Sequence, residues 1–237
     1  MDTDRNEVGR RATAALLLVE GLLLFVPLVV LGAAVGWPAS LGDPAATVLP
    51  RVAENESALR AGYVVYLAYS ALFLPVALWA TARLAPGLRD SPVVRLGAAF
   101  AALSALARCV GIVRWLTTMP DLAHAWQAGE HREAVEVQYT ALNSFAGGVG
   151  ELLGVSLFAA GWLLCLAKVA DIPLWLKGFT VVTAAALALP LVELLGVDAG
   201  ALISVGSGTV QVWFLVAAVH VLRSRSVRTG GRVAVGV

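Results

Sequence analysis

Charge is what this chain has least of. Asp, Glu, Lys and Arg make up 14% of its 237 residues, against about a quarter in an average soluble domain. With 59% hydrophobic residues and a mean hydropathy of +0.82, the composition excludes a soluble globular protein and implies an integral membrane protein. Lysine is nearly absent: fifteen of the seventeen basic residues are arginine, which reads as the bias of a GC-rich genome. The net charge of +1, with no basic block, excludes a nucleic-acid partner. There are two cysteines, Cys109 and Cys165, both in apolar runs at different expected depths, so a disulfide is excluded and both read as small buried hydrophobes.

Histidine is scarce too, with three in the chain. His220 is the single one expected at membrane level, so the facing axial pair that a haem needs is missing. His124 and His131 fall in DLAHAWQAGEHREAVEVQY beside Asp121, Glu130 and Glu133. Seven-residue spacing places both on one helix face, where the carboxylates complete a zinc set. The competing and preferred reading is a solvated amphipathic loop that rests Leu122 and Trp126 on the membrane interface. Ser207, within the triplet Gly206–Gly208, has His220 on its own helix about 20 Å away, so no serine–histidine pair is implied. No cofactor and no metal are assigned.

What is abundant is apolar length. A spanning helix needs about 20 largely apolar residues, and six segments qualify: 12–37, 61–84, 94–117, 139–167, 174–196 and 201–222. The start, RNEVGRRATAALLL, invites a signal-peptide reading, but its apolar run exceeds the 7–15 residues of a cleavable core. The expected fold is an all-α membrane protein, one six-helix domain over 1–237. Placing the N-terminus inside gives the cytoplasm Arg5, Arg10, Arg11, Arg83, Arg89, Arg95, Lys168, Lys177, Arg223, Arg225, Arg228 and Arg232. The outside receives Arg51, Arg60 and Arg132. Both termini are therefore expected in the cytoplasm of a bacterium, with the chain in its plasma membrane.

Against this background the stretch ALARCVGIVRWLTTMP is costly, because it sets Arg108 and Arg114 inside the third span. An ionised side chain at a helix centre costs about 2.5–3.5 kcal/mol on insertion scales, so partners are expected. From a rise of about 1.5 Å per residue, Arg108 stands about 21 Å up from the cytoplasmic end and Glu151 about 24 Å. Arg114 stands about 30 Å up and Glu193 about 29 Å. Depth therefore pairs Arg108 with Glu151 and Arg114 with Glu193. Glu20, Asn143 and Gln211 also fall at membrane depth. Glu20 has no cation at its level, the nearest being His220 and a downward-reaching Arg108.

Two readings of these seven residues stay open: interhelical pairs that fix register, or the wall of a polar cavity for a ligand or a proton path. NSFAGGVGELLG surrounds Glu151 with Gly147, Gly148, Gly150 and Gly154, and Gly150/Gly154 has the spacing for close helix approach. Either the glycines serve that contact or they leave room for a ligand beside Glu151. Gly32/Gly36 repeats the spacing, and Gly200, Ser204 and Gly208 form a small-residue ridge.

Two stretches carry a family resemblance. One is ESALRAGYVVYLAYSALFLPVALWATARLAPGLRDSPVVRLGAAFAAL, and the other is DIPLWLKGFTVVTAAALALPLVELLG, in which an Ile-Pro-x-Trp-Leu turn feeds the fifth span. Together they resemble the bacterial six-span membrane proteins catalogued as domain-of-unknown-function family 4386. That resemblance implies a six-helix bundle and leaves the role open. Three functions are compatible with the residues. The first is a binder or carrier of a small polar or amphiphilic molecule, with the arginines meeting its anionic group. The second is a membrane enzyme on a lipid-like substrate with Glu151 or Glu20 as acid/base. The third is a structural or regulatory subunit.

Overall fold

Proline and glycine decide where the spans bend. The computed structural model describes residues 2–88, 90–129, 131–197 and 200–224. Arg89, Glu130, Arg225, Arg228 and Arg232, used in the arguments above, lie outside the described residues. The chain enters as α1 (Asp2–Leu23), breaks at Leu24, and resumes as α2 (Phe25–Val35). Pro27 explains the break, because it has no N–H to offer the carbonyl of Leu23 and its ring crowds that oxygen. Gly36 ends α2 at φ 78°, returning its N–H to the Gly32 carbonyl at 3.0 Å. The Gly32/Gly36 pair is thus a helix stop, where close helix packing was one expectation.

Then follow α3 (Ala45–Glu54), α4 (Glu56–Leu84), α5 (Pro92–Leu116), α6 (Thr118–Ala128) and α7 (Arg132–Gly148). The fourth span continues as a ten-residue π-helix, Val149–Phe158, and closes as α8 (Ala159–Val169). The fifth is α9 (Leu174–Ala188), tightening to a 3₁₀ segment at Leu189–Leu195, and the sixth is α10 (Gly200–Arg223). Pro190 accounts for the tightening, since it frees the carbonyl of Ala186. A Cβ on Gly206 would lie 2.9 Å from that oxygen, so a glycine there is what lets α10 approach α9. Gly208, in the expected ridge, has open space beside it.

Six helices, 7–35, 56–84, 92–128, 132–169, 174–195 and 205–223, are long and apolar enough to span a membrane, and no strand occurs among the described residues. They pack in a closed ring: α1 on α4, α4 on α5, α5 on the π segment and α8, α8 on α9, α9 on α10, and α10 back on α1. All six feed one apolar core, with Leu17, Phe73, Ala101, Trp162, Leu187, Trp213 and Phe214. Its indoles are satisfied in a repeated way. Trp162 Nε1 donates to Thr81 Oγ1 at 3.1 Å and Trp213 Nε1 to Thr180 Oγ1 at 2.8 Å. Each threonine in turn donates to a carbonyl one turn back in its own helix.

A second core lies toward the opposite end of the spans. There α3 packs on α6, and Leu31, Leu49, Tyr63, Trp115, Met119, Leu122 and Tyr139 are buried together. Leu122 is 6% exposed inside this cap, which corrects the expectation that it rests on the membrane interface. The α6 pattern TMPDLAHAWQA covers the ring's own apolar end. His124 faces away from that core and meets Glu56 at 3.1 Å, Nε2 to Oε2.

Candidate functional site

Between the two cores the first three spans carry polar residues. On the first span Glu20 falls between Leu17 and Leu31. On α4, Tyr69 and Ser70 fall between Tyr63 and Phe73, and on α5 Arg108 lies between Ala101 and Ile112.

The fourth span organises one side of the site. Asn143, Gly147, Gly150 and Glu151 follow at i, i+4, i+7 and i+8, a single helical stripe. Gly150 gives the stripe its closeness to α5: a Cβ on Gly111 would lie 2.9 Å from Gly150 Cα and 3.0 Å from the Ala146 carbonyl. Lower down, Ser104 Oγ donates to the Gly154 carbonyl at 2.7 Å. Gly150 and Gly154 therefore serve helix contact within the chain. Gly147 and Gly148 line a cleft beside Glu151.

That cleft holds about 890 Å³ and is bounded by the stripe, the 38–44 segment, Arg114, Tyr139 and Glu193. Behind it lies a chamber of about 30 Å³ lined by Trp37, Tyr63, Tyr66, Arg108, Arg114 and Glu151, among others. Leu41, Arg114, Gly147 and Glu151 are common to both walls, so the chamber adjoins the cleft. The volume of the cleft falls in the usual 300–1,000 Å³ range of small-molecule sites.

The expected ion pairs are not formed. Among the described residues no ion pair joins Arg108 to Glu151 or Arg114 to Glu193. Arg114 is held instead by the Gly111 carbonyl at 3.0 Å and by Asn143 Oδ1 at 3.1 Å. Asn143 uses its other end to donate to the Leu41 carbonyl at 2.7 Å, which ties the 38–44 segment to the cleft. Arg108 lays its guanidinium 4.4 Å from the Phe73 ring centroid and 5.8 Å from that of Tyr69. An aromatic face is an alternative partner for a cation, about 2 kcal/mol or more when desolvated. Depth matching nevertheless placed each pair on a common wall: Arg108 and Glu151 on the chamber, Arg114 and Glu193 on the cleft.

Glu20 and Gln211 belong to the far side of Arg108. Glu20 is 0% exposed, and neither carboxyl oxygen has a hydrogen-bond partner. Of the two cations considered for it, neither comes within ion-pair distance, although Arg108 is the charge that acts on it. Gln211 is joined to the Tyr69 hydroxyl at 2.8 Å. With its amide turned so that oxygen accepts there, its nitrogen donates to the Glu20 and Gly21 carbonyls, both at 3.1 Å. The residues that the sequence reasoning missed are Tyr63, Tyr66 and Tyr69. Their signal was present in GYVVYLAYS, where a tyrosine every third residue marks one face of α4. His124 and His131 assemble no ligand set: no group of three or more His, Cys, Asp or Glu able to hold a metal occurs among the described residues.

Six apolar spans closed into a ring define a multi-pass helical membrane protein. The chain belongs to DUF4386, a family named for a domain of unknown function, whose model matches residues 13–222. No curated protein and no solved structure matches it.

Proposed function

We propose that this protein binds a small amphiphilic molecule in the cleft and acts as its carrier or receptor in the bacterial plasma membrane. In this reading both termini are cytoplasmic and the cleft opens in the outer half of the bilayer. The observation that carries it is a cleft of about 890 Å³, in an otherwise apolar bundle, whose wall holds Arg114, Asn143, Glu151 and Glu193. Intramembrane ionisable groups that are not spent on one another are the usual mark of a ligand path. The apolar lining from Leu41, Pro44 and Leu152 suits a tail, and the polar stripe suits a head.

An acid/base role for Glu151 is the second reading, favoured by Glu193 as another carboxylate in the same cleft. Arg114 in that wall favours ground-state binding, because a cation there holds an anionic group without needing a proton transfer. The test is steric. A Cβ on Gly148 meets nothing within 4 Å and Gly148 lines the cleft, so Gly148→Trp is the variant expected to project into it. Purified protein in lipid nanodiscs is titrated with ten-carbon amphiphiles. The variant is expected to lose at least ten-fold in affinity at unchanged thermal stability, and unchanged affinity removes the cleft as the site.

A further inference from the structure

The chamber behind the cleft is short of acceptors. Arg108 is 3% exposed, Arg114 6% and Tyr63 1%, and all three line it. Yet Nε and Nη1 of Arg108, Nε of Arg114 and the Tyr63 hydroxyl have no hydrogen-bond partner. Buried donors are normally paired, and the three residues that carry these four all line the one small space.

From this we infer that the chamber is a carboxylate subsite: it receives the anionic head of a carboxylate-bearing amphiphile whose tail lies in the adjoining cleft. The inference rests on the cleft reading and names its ligand class. A single water has two lone pairs, whereas an ionised carboxylate offers two oxygens with about four acceptor sites and accepts the fork of an arginine. The wall sets two guanidinium groups, each with unspent donors, beside the Glu151 carboxylate. About 30 Å³ makes the chamber a space for a small head and not for a whole amphiphile. The walls shared at Leu41, Arg114 and Gly147 leave the tail a route outward. Trp115, stacked on Tyr63 with centroids 5.1 Å apart, completes an apolar side beside the head.

The experiment titrates the full chain, in phosphatidylcholine nanodiscs, with decanoate, decanol, decyltrimethylammonium and acetate. Decanoate is expected to bind at least ten-fold more tightly than decanol or the ammonium. Tyr63→Phe removes a buried hydroxyl that has no partner in the structure, so it should not lower thermal stability. It should weaken decanoate several-fold. Arg114→Gln should abolish the preference for decanoate, and Glu151→Gln, which removes a like charge, should tighten it. Acetate binding as well as decanoate would keep the subsite and assign it to a free small carboxylate, overturning the tail. Equal affinity for all three ten-carbon heads with a silent Tyr63→Phe means the chamber holds water, and then only the cleft reading survives. Tightest binding of the ammonium, or weaker decanoate binding in Glu151→Gln, overturns the anionic head. Binding of none of the four overturns both.

Discussion

Gly111 and Gly148 make the strongest test of the packing, because the same substitution is expected to act with opposite sign at the two places. Both are helical, so exchange for alanine brings each the same gain in helix propensity, about 1 kcal/mol. Their surroundings differ. A Cβ on Gly111 would sit 2.9 Å from Gly150 Cα and 3.0 Å from the Ala146 carbonyl, both backbone atoms that cannot rotate away. Ordinary carbon contacts begin near 3.5 Å, so α5 and the fourth span must part by about 0.6 Å. Overpacking of this kind costs about 1–3 kcal/mol, which outweighs the propensity gain. At Gly148 no atom lies within 4 Å, and only the gain remains. Gly150→Ala is intermediate, since its Cβ would meet Gly111 Cα at 3.2 Å. Thermal unfolding in mild detergent, followed by tryptophan fluorescence, should rank the proteins Gly148→Ala, wild type, Gly150→Ala and Gly111→Ala from most to least stable. If Gly111→Ala proves as stable as Gly148→Ala, the backbone-to-backbone crossing of α5 on the fourth span is wrong.

Asn143→Ala removes both the bond to Arg114 and the one to the Leu41 carbonyl, at about 1 kcal/mol each. It should speed amide exchange over residues 39–43 while the exchange of α4 and α5 stays slow, and equal speeding everywhere counts against a local tether. Thr180→Val leaves the buried indole N–H of Trp213 without an acceptor and should cost about 1–3 kcal/mol. Combined with Trp213→Phe the loss should be less than additive, and full additivity denies the pair. Glu56→Gln breaks a half-exposed contact to His124 and a surface pair with Arg60, and a stability change above about 1 kcal/mol contradicts their exposure.

How much of this was readable from the residues depends on which physical quantity decides each feature. Spans are set by apolar length, which is a one-dimensional property, and the structure has six helices long and apolar enough to span a membrane. The stops are legible once proline is read as a missing donor: Pro27 at the Leu24 break and Pro190 at the 3₁₀ turn. The cap was not legible. TMPDLAHAWQA has a helix pattern, but an amphipathic helix looks the same whether its apolar face covers lipid or another part of the chain. Its partner, α3, is separated from it by two full spans, and only the fold brings AATVLPRVAE beneath it.

Depth alone also explains why the expected ion pairs are not formed. Rise per residue fixes a height, so Arg108 and Glu151 came to one wall and Arg114 and Glu193 to another. Contact needs azimuth and reach as well, and there the aromatic residues intervened. The tyrosines at 63, 66 and 69, continued by Phe73, give α4 an aromatic stripe facing α5, and Phe73 supplies Arg108 with a π face at 4.4 Å. An arginine so placed is desolvated without being neutralised. Its ring partner takes part of the charge but accepts none of the in-plane N–H bonds, which is why Nε and Nη1 stay unspent. A direct bridge to Glu151 would have used those donors and closed the chamber. Holding the cation on an aromatic ring instead keeps the interior charged and open at once. Phe73→Leu should therefore leave the span inserted but release Arg108 toward Glu151. The variant is expected to gain that ion pair, read as a strengthened coupling in an Arg108→Gln/Glu151→Gln double-mutant cycle, and to lose chamber binding in the same step. A coupling energy unchanged by Phe73→Leu would show that the ring does not hold the arginine where it is.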